Sequence, residues 1–304
     1  MVDYSLYENC KLCPRKCSVN RNSNSTGFCG QTSALRAARA ALHFWEEPIV
    51  SGTSGSGTVF FSGCNLRCIF CQNYDIALGE VGKEISAERL SEIFLELESK
   101  GANNINLVTG APFIPHIASA ISSAKNNGLS IPVLYNSGGY EDEDSLKLLD
   151  GLIDIYMPDM KYFSSELSAK YSSAPDYFEV AKKAIGEMYR QVGAPVLIKK
   201  GAEELMTRGV IVRHLLLPGQ SLDSKKILRY LHETYGDSIY ISIMNQYTPL
   251  KQVAGHPELD RKITSEEYEK IVNFAIKLGI DNAFIQEGDV ATESFIPSFD
   301  YEGL

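Results

Sequence analysis

From about residue 57 onward, apolar positions follow two alternating rhythms. Short, nearly continuous apolar runs rich in β-branched and aromatic residues occur at 57–63, 104–110, 131–139, 153–163, 209–219, 237–247 and 282–288, and each reads as a strand. Between them, apolar residues recur at helical spacing over 86–101, 113–128, 144–151, 174–193, 221–236 and 264–279. The first of these helices has Ser86 as a cap and Gly101 as a stop, and the second carries Pro115 in its first turn. Strands that look buried on both faces, alternating with helices, predict a parallel sheet covered by helices. Seven such strands fit an open or partial (β/α) barrel better than a closed eightfold one. The fold class expected is therefore α/β.

The first fifty residues break this rhythm. Residues 18–28 are polar and turn-rich, as a loop would be. Residues 31–45, QTSALRAARAALHFW, are rich in Ala and Leu and suit either a short helix or a strand pair packed against the barrel. The run SGTSGSG at 51–57 lacks the Gly-Lys-Ser/Thr of a phosphate loop and reads as a flexible lead-in. A boundary is expected near residue 50. It separates an N-terminal Cys-rich extension (1–50) from a barrel with a C-terminal tail (51–304). The tail, DVATESFIPSFDYEGL, is expected to cover the barrel mouth or to dock elsewhere.

Composition narrows the function. With 29 Lys and Arg against 38 Asp and Glu, the net charge is −9, which opposes general binding to a phosphate backbone. No apolar run reaches the length of a membrane span, and the segment MVDYSLYENCKLC lacks the apolar core of a signal peptide. A cytoplasmic location is the expectation. There, clustered cysteines point to metal ligation or catalysis rather than disulfides. All seven cysteines precede residue 72, in two groups.

Cys64, Cys68 and Cys71 have the spacing C-x3-C-x2-C and lie directly after the first barrel strand. Three thiolates on one short loop can hold three irons of a [4Fe–4S] cluster, and the fourth iron is left free for a small molecule. An electron-transfer cluster or a structural zinc would ask for a fourth ligand. The earlier group, Cys10, Cys13, Cys17 and Cys29, supplies four thiolates within twenty residues, which suits a closed zinc site or a second [4Fe–4S] cluster. Arg15 and Lys16 within it would offset thiolate charge.

The sequence SGCNLRCIFCQN after the first strand resembles the radical S-adenosylmethionine (SAM) superfamily. In that superfamily the open iron chelates the amino and carboxylate groups of SAM. One electron then cleaves SAM to methionine and a 5′-deoxyadenosyl radical that abstracts hydrogen from a target. The resemblance implies that Cys64, Cys68 and Cys71 are the cluster ligands and that Phe70 is the aromatic beside the adenine. Local matches at SGCNLRCIFCQN, IDIYMPDMKYF and VRHLLLPG are similar to the glycyl-radical activating enzymes. The N-terminal cysteines, with NINLVTG, IPVLYNSGGY and RQVGAP, resemble one branch, that of iron–sulfur homologues of pyruvate formate-lyase activating enzyme. The likeness implies a hydrogen donor that is a glycyl-radical enzyme or another peptide, and a flavodoxin- or ferredoxin-type electron donor. A small-molecule substrate is the alternative. From another class, so is a non-catalytic iron–sulfur or zinc protein that carries electrons or binds a partner.

The activating enzymes carry a Gly-Gly-Glu-like turn after the second strand. Here Thr109-Gly110-Ala111-Pro112 stands in that place, so Thr109 and Gly110 are the SAM-contact candidates. Those with extra clusters place two Cys quartets after the first cluster, whereas this chain has one quartet before it. Asp159 and Lys161, two apart on a strand, share a face and correspond to a pair at the SAM site. Arg213 and His214 point to opposite faces; Arg213 is the one expected inside, near SAM. Asn136 is a further candidate polar contact. The remaining histidines show no metal-ligand spacing.

Overall fold

The computed structural model describes residues 1–286 and 297–304. The chain forms strands β1 (Arg36–His43), β2 (Ser56–Phe61), β3 (Lys83–Glu84), β4 (Ile105–Val108), β5 (Val133–Ser137), β6 (Ile155–Pro158), β7 (Val196–Lys200), β8 (Glu203–Leu215), β9 (Tyr240–Met244) and β10 (Ala283–Ile285). Their order in the sheet is β10-β9-β8-β6-β5-β4-β2-β1-β3, with β7 paired to β8. Neighbouring strands from β2 to β10 along this path are parallel, while β1, β3 and β7 pair antiparallel. The seven parallel strands are the seven that the apolar runs predict.

The α-helices are α1 (Pro48–Ser51), α2 (Tyr74–Ala77), α3 (Ala87–Ser99), α4 (Ile114–Asn126), α5 (Glu143–Lys147), α6 (Ser165–Ser172), α7 (Tyr177–Val192), α8 (Ser221–Tyr235) and α9 (Ser265–Leu278), and short 3-10 turns occur beside them. Helix starts are chemically marked. Ser86 accepts from the Arg89 N–H, and Thr264 and Glu267 cap each other's backbone reciprocally at α9. The main core lies between sheet and helices, where Leu107, Tyr135, Ile185, Val212 and Leu228 are fully buried. A smaller apolar cluster of Val50, Leu134, Ile155, Met157, Met206 and Ile211 joins α1 to alternate residues of the parallel strands.

The ambiguous stretch 31–45 resolves to a strand. β1 lies against β2, and its other side takes β3 and then residues 301 and 302, where Tyr301 N–H donates to Ala38 O and Ala40 N–H to Glu302 O. Long-range pairing thus overrides the helical leaning of an Ala-rich segment. Of the C-terminal tail, residues 297–304 dock along β1 and the remainder lies outside the described residues. Several elements lack any counterpart in the sequence reading: the β7–β8 hairpin, α6, the short helices α1 and α2, and β3. The strand expected at 153–163 stops at Pro158, and Asp159 continues only as a single bridge to Arg213. Among the described residues no helix is long and apolar enough to cross a membrane.

Candidate active site

The loop after β2 carries the cysteine triplet. Gly63 turns the chain with φ +82°, and a Cβ there would collide with the side chain of Gln31. Cys64, Cys68 and Cys71 then line one cleft at the C-terminal ends of the parallel strands, the edge where such sheets bind ligands. The cleft holds a cavity of about 210 Å³. Its walls include Phe70, Thr109, Asn136, Asp159, Lys161 and Arg213, so six of the seven cofactor-contact candidates face it together with the thiols. Gly110 does not line it. A Cβ there would meet Ile117 Cδ1 at 2.5 Å, because Gly110 packs back against α4 and Tyr135. Thr109 is left at the surface of the cleft with φ +61°, a rare conformation for a β-branched residue.

Burial pushes the Cys64 and Cys71 thiols up, and the nearby Cys68 adds to it. Lys161 acts the other way on both. Cys68 Sγ accepts from Ser172 Oγ at 2.9 Å, and Cys64 Sγ from the Leu66 N–H at 3.4 Å. Phe70 is buried with its ring 6.3 Å from Tyr162 and 6.1 Å from Tyr247. These rings support its place in the cleft wall.

Facing the thiols is a connected polar wall. Arg213 donates to Asp159 Oδ1 (3.1 Å), Glu46 Oε2 (3.1 Å) and Asn136 Oδ1 (2.7 Å). Lys161 pairs with the other oxygen of Asp159. Burial alone would raise the Asp159 carboxyl, but Lys161 and Arg213 outweigh it and hold the group below the usual carboxylate range. Burial works against the charge on Lys161 and Arg213, and their acidic partners overcome it. His214 points away, buried, with Nδ1 2.8 Å from Met160 O.

Glu46 is a wall residue that the sequence reading missed. It lies between β1 and α1, and its Oε1 also accepts from the amides of Asn106 (3.0 Å) and Asn136 (3.3 Å). His43 and Trp45, from the same stretch, line the cleft as well. No spacing rule ties this segment to strand ends sixty or more residues away.

The N-terminal cysteines ring a second, small cavity. Cys10, Cys13, Cys17 and Cys29 line it with Arg21, Asn65 and Pro112. Burial pushes Cys13 up to about 12 and raises Cys29. The cation placed against these thiols is Arg21, fully buried, with Nη1 3.6 Å from Cys10 Sγ and 2.7 Å from Pro112 O. Arg15 instead reaches out of the quartet, donating to Asn65 O (2.8 Å), Ser172 O (3.1 Å) and Ser173 O (2.5 Å). Lys16 pairs with Asp142 at 3.5 Å. Among the described residues, no three His, Cys, Asp or Glu side chains converge on a point that a single metal ion would fill. In both cysteine groups the thiols are spread around a cavity.

A partial parallel barrel with three thiols on its first loop defines a class, and the chain belongs to it: it matches the radical SAM superfamily over residues 58–231, from β2 into α8. An uncharacterized protein of Methanocaldococcus jannaschii is 30% identical over 286 residues, covering 91% of this chain and 77% of its own. SuiB of Streptococcus suis has a similar fold at 12% identity. Its SAM-bound and precursor-peptide-bound structures superpose with TM-scores of 0.51 and 0.50 over 75% of this chain. The chain spans about half the length of SuiB, 49% and 47% in the two structures. A domain of a pyruvate-formate lyase-activating enzyme from Bacteroides vulgatus matches more loosely, with a TM-score of 0.39 at 12% identity over 57% of this chain and 93% of that one.

Family membership implies a [4Fe–4S] cluster and SAM. The donor set fits: soft thiolates are the ligands such clusters take, and the cleft offers three.

Proposed function

We propose that this chain is a radical SAM enzyme that takes a hydrogen atom from a peptide or protein, in the manner of the activating enzymes. When bound, the cluster and SAM supply a 5′-deoxyadenosyl radical at the expense of one electron. Cys64, Cys68 and Cys71 are the residues that would hold the cluster. Phe70, Thr109, Asn136, Asp159, Lys161 and Arg213 would bind and orient SAM. The observation that carries the reading is the single cleft in which the three thiols face the Asp159–Lys161–Arg213 wall.

The polar wall has a defined task. Lys161 and Arg213 hold Asp159 ionised, so it serves as a fixed charge rather than as a proton donor near neutral pH. Buried ion pairs of this kind bring order to a site more than they bring stability. The apolar side of the cleft, Phe60, Leu66, Phe70 and Val108, limits water around the reacting atoms.

What supports a large substrate is the rim. Trp45, which lines the cleft, is 65% exposed, and Gln72, Asn73 and Gln246 line it too. SuiB, of similar fold, has been crystallised with its precursor peptide. The N-terminal quartet is read as a second [4Fe–4S] cluster or a zinc site, with a flavodoxin- or ferredoxin-type electron donor and a cytoplasmic setting.

The test is anaerobic. Reconstituted protein is given SAM and dithionite, and 5′-deoxyadenosine is quantified beside Cys68→Ala. Product from the wild type alone is the expected result. Its absence, with about four irons bound at the triplet, would sink the assignment. A glycyl or other peptide radical seen by electron paramagnetic resonance on an added peptide separates the peptide reading from a small-molecule one.

A further inference from the structure

The carboxyl end of α6 is hydrogen-bonded to the cysteine loop. Ser172, the last residue of the helix, is 1% exposed, and its hydroxyl donates to Cys68 Sγ at 2.9 Å. The Tyr162 hydroxyl lies 2.7 Å from the same Ser172 oxygen and is itself fully buried. Ser172 has one hydroxyl proton, and it points to the sulfur. Tyr162 is therefore the donor to Ser172. The result is a directed chain from Tyr162 through Ser172 to the Cys68 sulfur.

The chain is held on two further sides. Ile69 N–H donates to Tyr171 O at 3.0 Å, which fastens α6 to the residue after Cys68. Arg15, from the N-terminal cysteine loop, donates to Ser172 O and Ser173 O and also to Asn65 O beside Cys64. Ser173 closes the helix in a left-handed conformation (φ +50°), which suits the bonding of its N–H back to Ala169 O.

We propose that Ser172 is a positioning residue that donates a hydrogen bond to the Cys68 thiolate and raises the reduction potential of the cluster, with Tyr162 orienting it. The proposal rests on the reading of Cys68 as a cluster ligand. Reduction adds one electron to the cluster and makes its thiolates more negative. A hydrogen bond to sulfur stabilises that form over the oxidised one. No bond is made or broken at Ser172, and its proton stays on oxygen. Ser172 and Cys68 are both buried, which strengthens the bond over one made in open water.

The test is a redox titration with dithionite of the full-length, reconstituted protein. It follows the paramagnetic resonance signal that changes when SAM is added, and this response separates the triplet cluster from any second centre. Ser172→Ala is expected to move the midpoint of that signal to more negative potential. Tyr162→Phe should move it the same way by less, and Ser172→Thr should restore it. A wild-type midpoint in Ser172→Ala overturns the proposal. If Ser172→Ala fails to load, a wild-type midpoint in Tyr162→Phe overturns it equally. A wild-type protein with no SAM-responsive signal would refute the functional reading itself, and the proposal with it.

Discussion

Removing Arg213 tests the polar wall. Its guanidinium makes three bonds, two to carboxylates and one to an amide, with its side chain 15% exposed. Arg213→Ala leaves Asp159 with Lys161 alone and leaves Glu46 with only the amides of Asn106 and Asn136. Breaking a buried pair by deleting one partner costs about 3–5 kcal/mol, because the other charge stays buried. For a chain of this length a loss of 1 kcal/mol lowers Tm by roughly 2 °C, so the drop expected is roughly 6–10 °C. Arg213→Lys should fall between, since an ammonium cannot span acceptors as the planar fork does. The pH dependence has a definite sign. The wall holds the Asp159 carboxyl below its ordinary value, so this stabilisation is complete above about pH 4, the range of an unfolded carboxyl, and fades as pH falls below it. The share of the gap between wild type and Arg213→Ala that comes from Asp159 should therefore narrow as pH falls below about 4. The assay is thermal unfolding of the metal-free protein, with SAM binding to the loaded protein measured beside it. A variant within 2 °C of wild type at pH 7 would refute the reasoning.

Two further outcomes follow from the same physics. Gly139 has φ +77°, and a Cβ there would run into the carbonyl oxygen of Asp159. Gly139→Ala should cost at least about 1–3 kcal/mol in strain, read by urea unfolding, and weaken SAM binding by displacing Asp159. An unchanged unfolding midpoint would contradict this. Burial lowers His116 and His214 to about 4, Arg21 adding to the effect at His116. The unfolded chain takes up these protons near pH 6.5 and the native one only near 4, so stability should fall as pH drops between those values. His214→Gln should flatten that slope when urea midpoints are compared across pH, and an unaltered slope would show that His214 is not a source of it.

Much of the architecture was legible because its signals are local. Each parallel strand announces itself as a short apolar run, and each long helix as a 3.6-residue periodicity. Strand alternation implied that only one of Arg213 and His214 faces inward, and the structure puts Arg213 in the cleft wall with His214 packed behind it. What escaped was decided by partners far along the chain. RAARAALH suits helix or strand alike until β2 and residues 301 and 302 offer backbone bonds on both sides. Glu46 carries no motif and acquires its place only when Arg213, 167 positions later, meets it. Ser172 carries no signal in the sequence until α6 folds onto the cysteine loop. Gly110 was expected beside Thr109 in the cleft, but the positive φ of Thr109 turns the chain and sends Gly110 inward.

The covering of β1 also bears on how the protein reaches its native state. Arg39 bonds to Ser298 and Glu302, which come 259 and 263 positions later. Contacts of that span are the last whose closure entropy is recovered. Until they form, the middle of β1 presents unsatisfied N–H and C=O groups at the border of an otherwise finished sheet. Such a border is a template for pairing with another chain. Any chain in which the barrel has formed before residues 298–302 have docked would therefore expose that β1 edge.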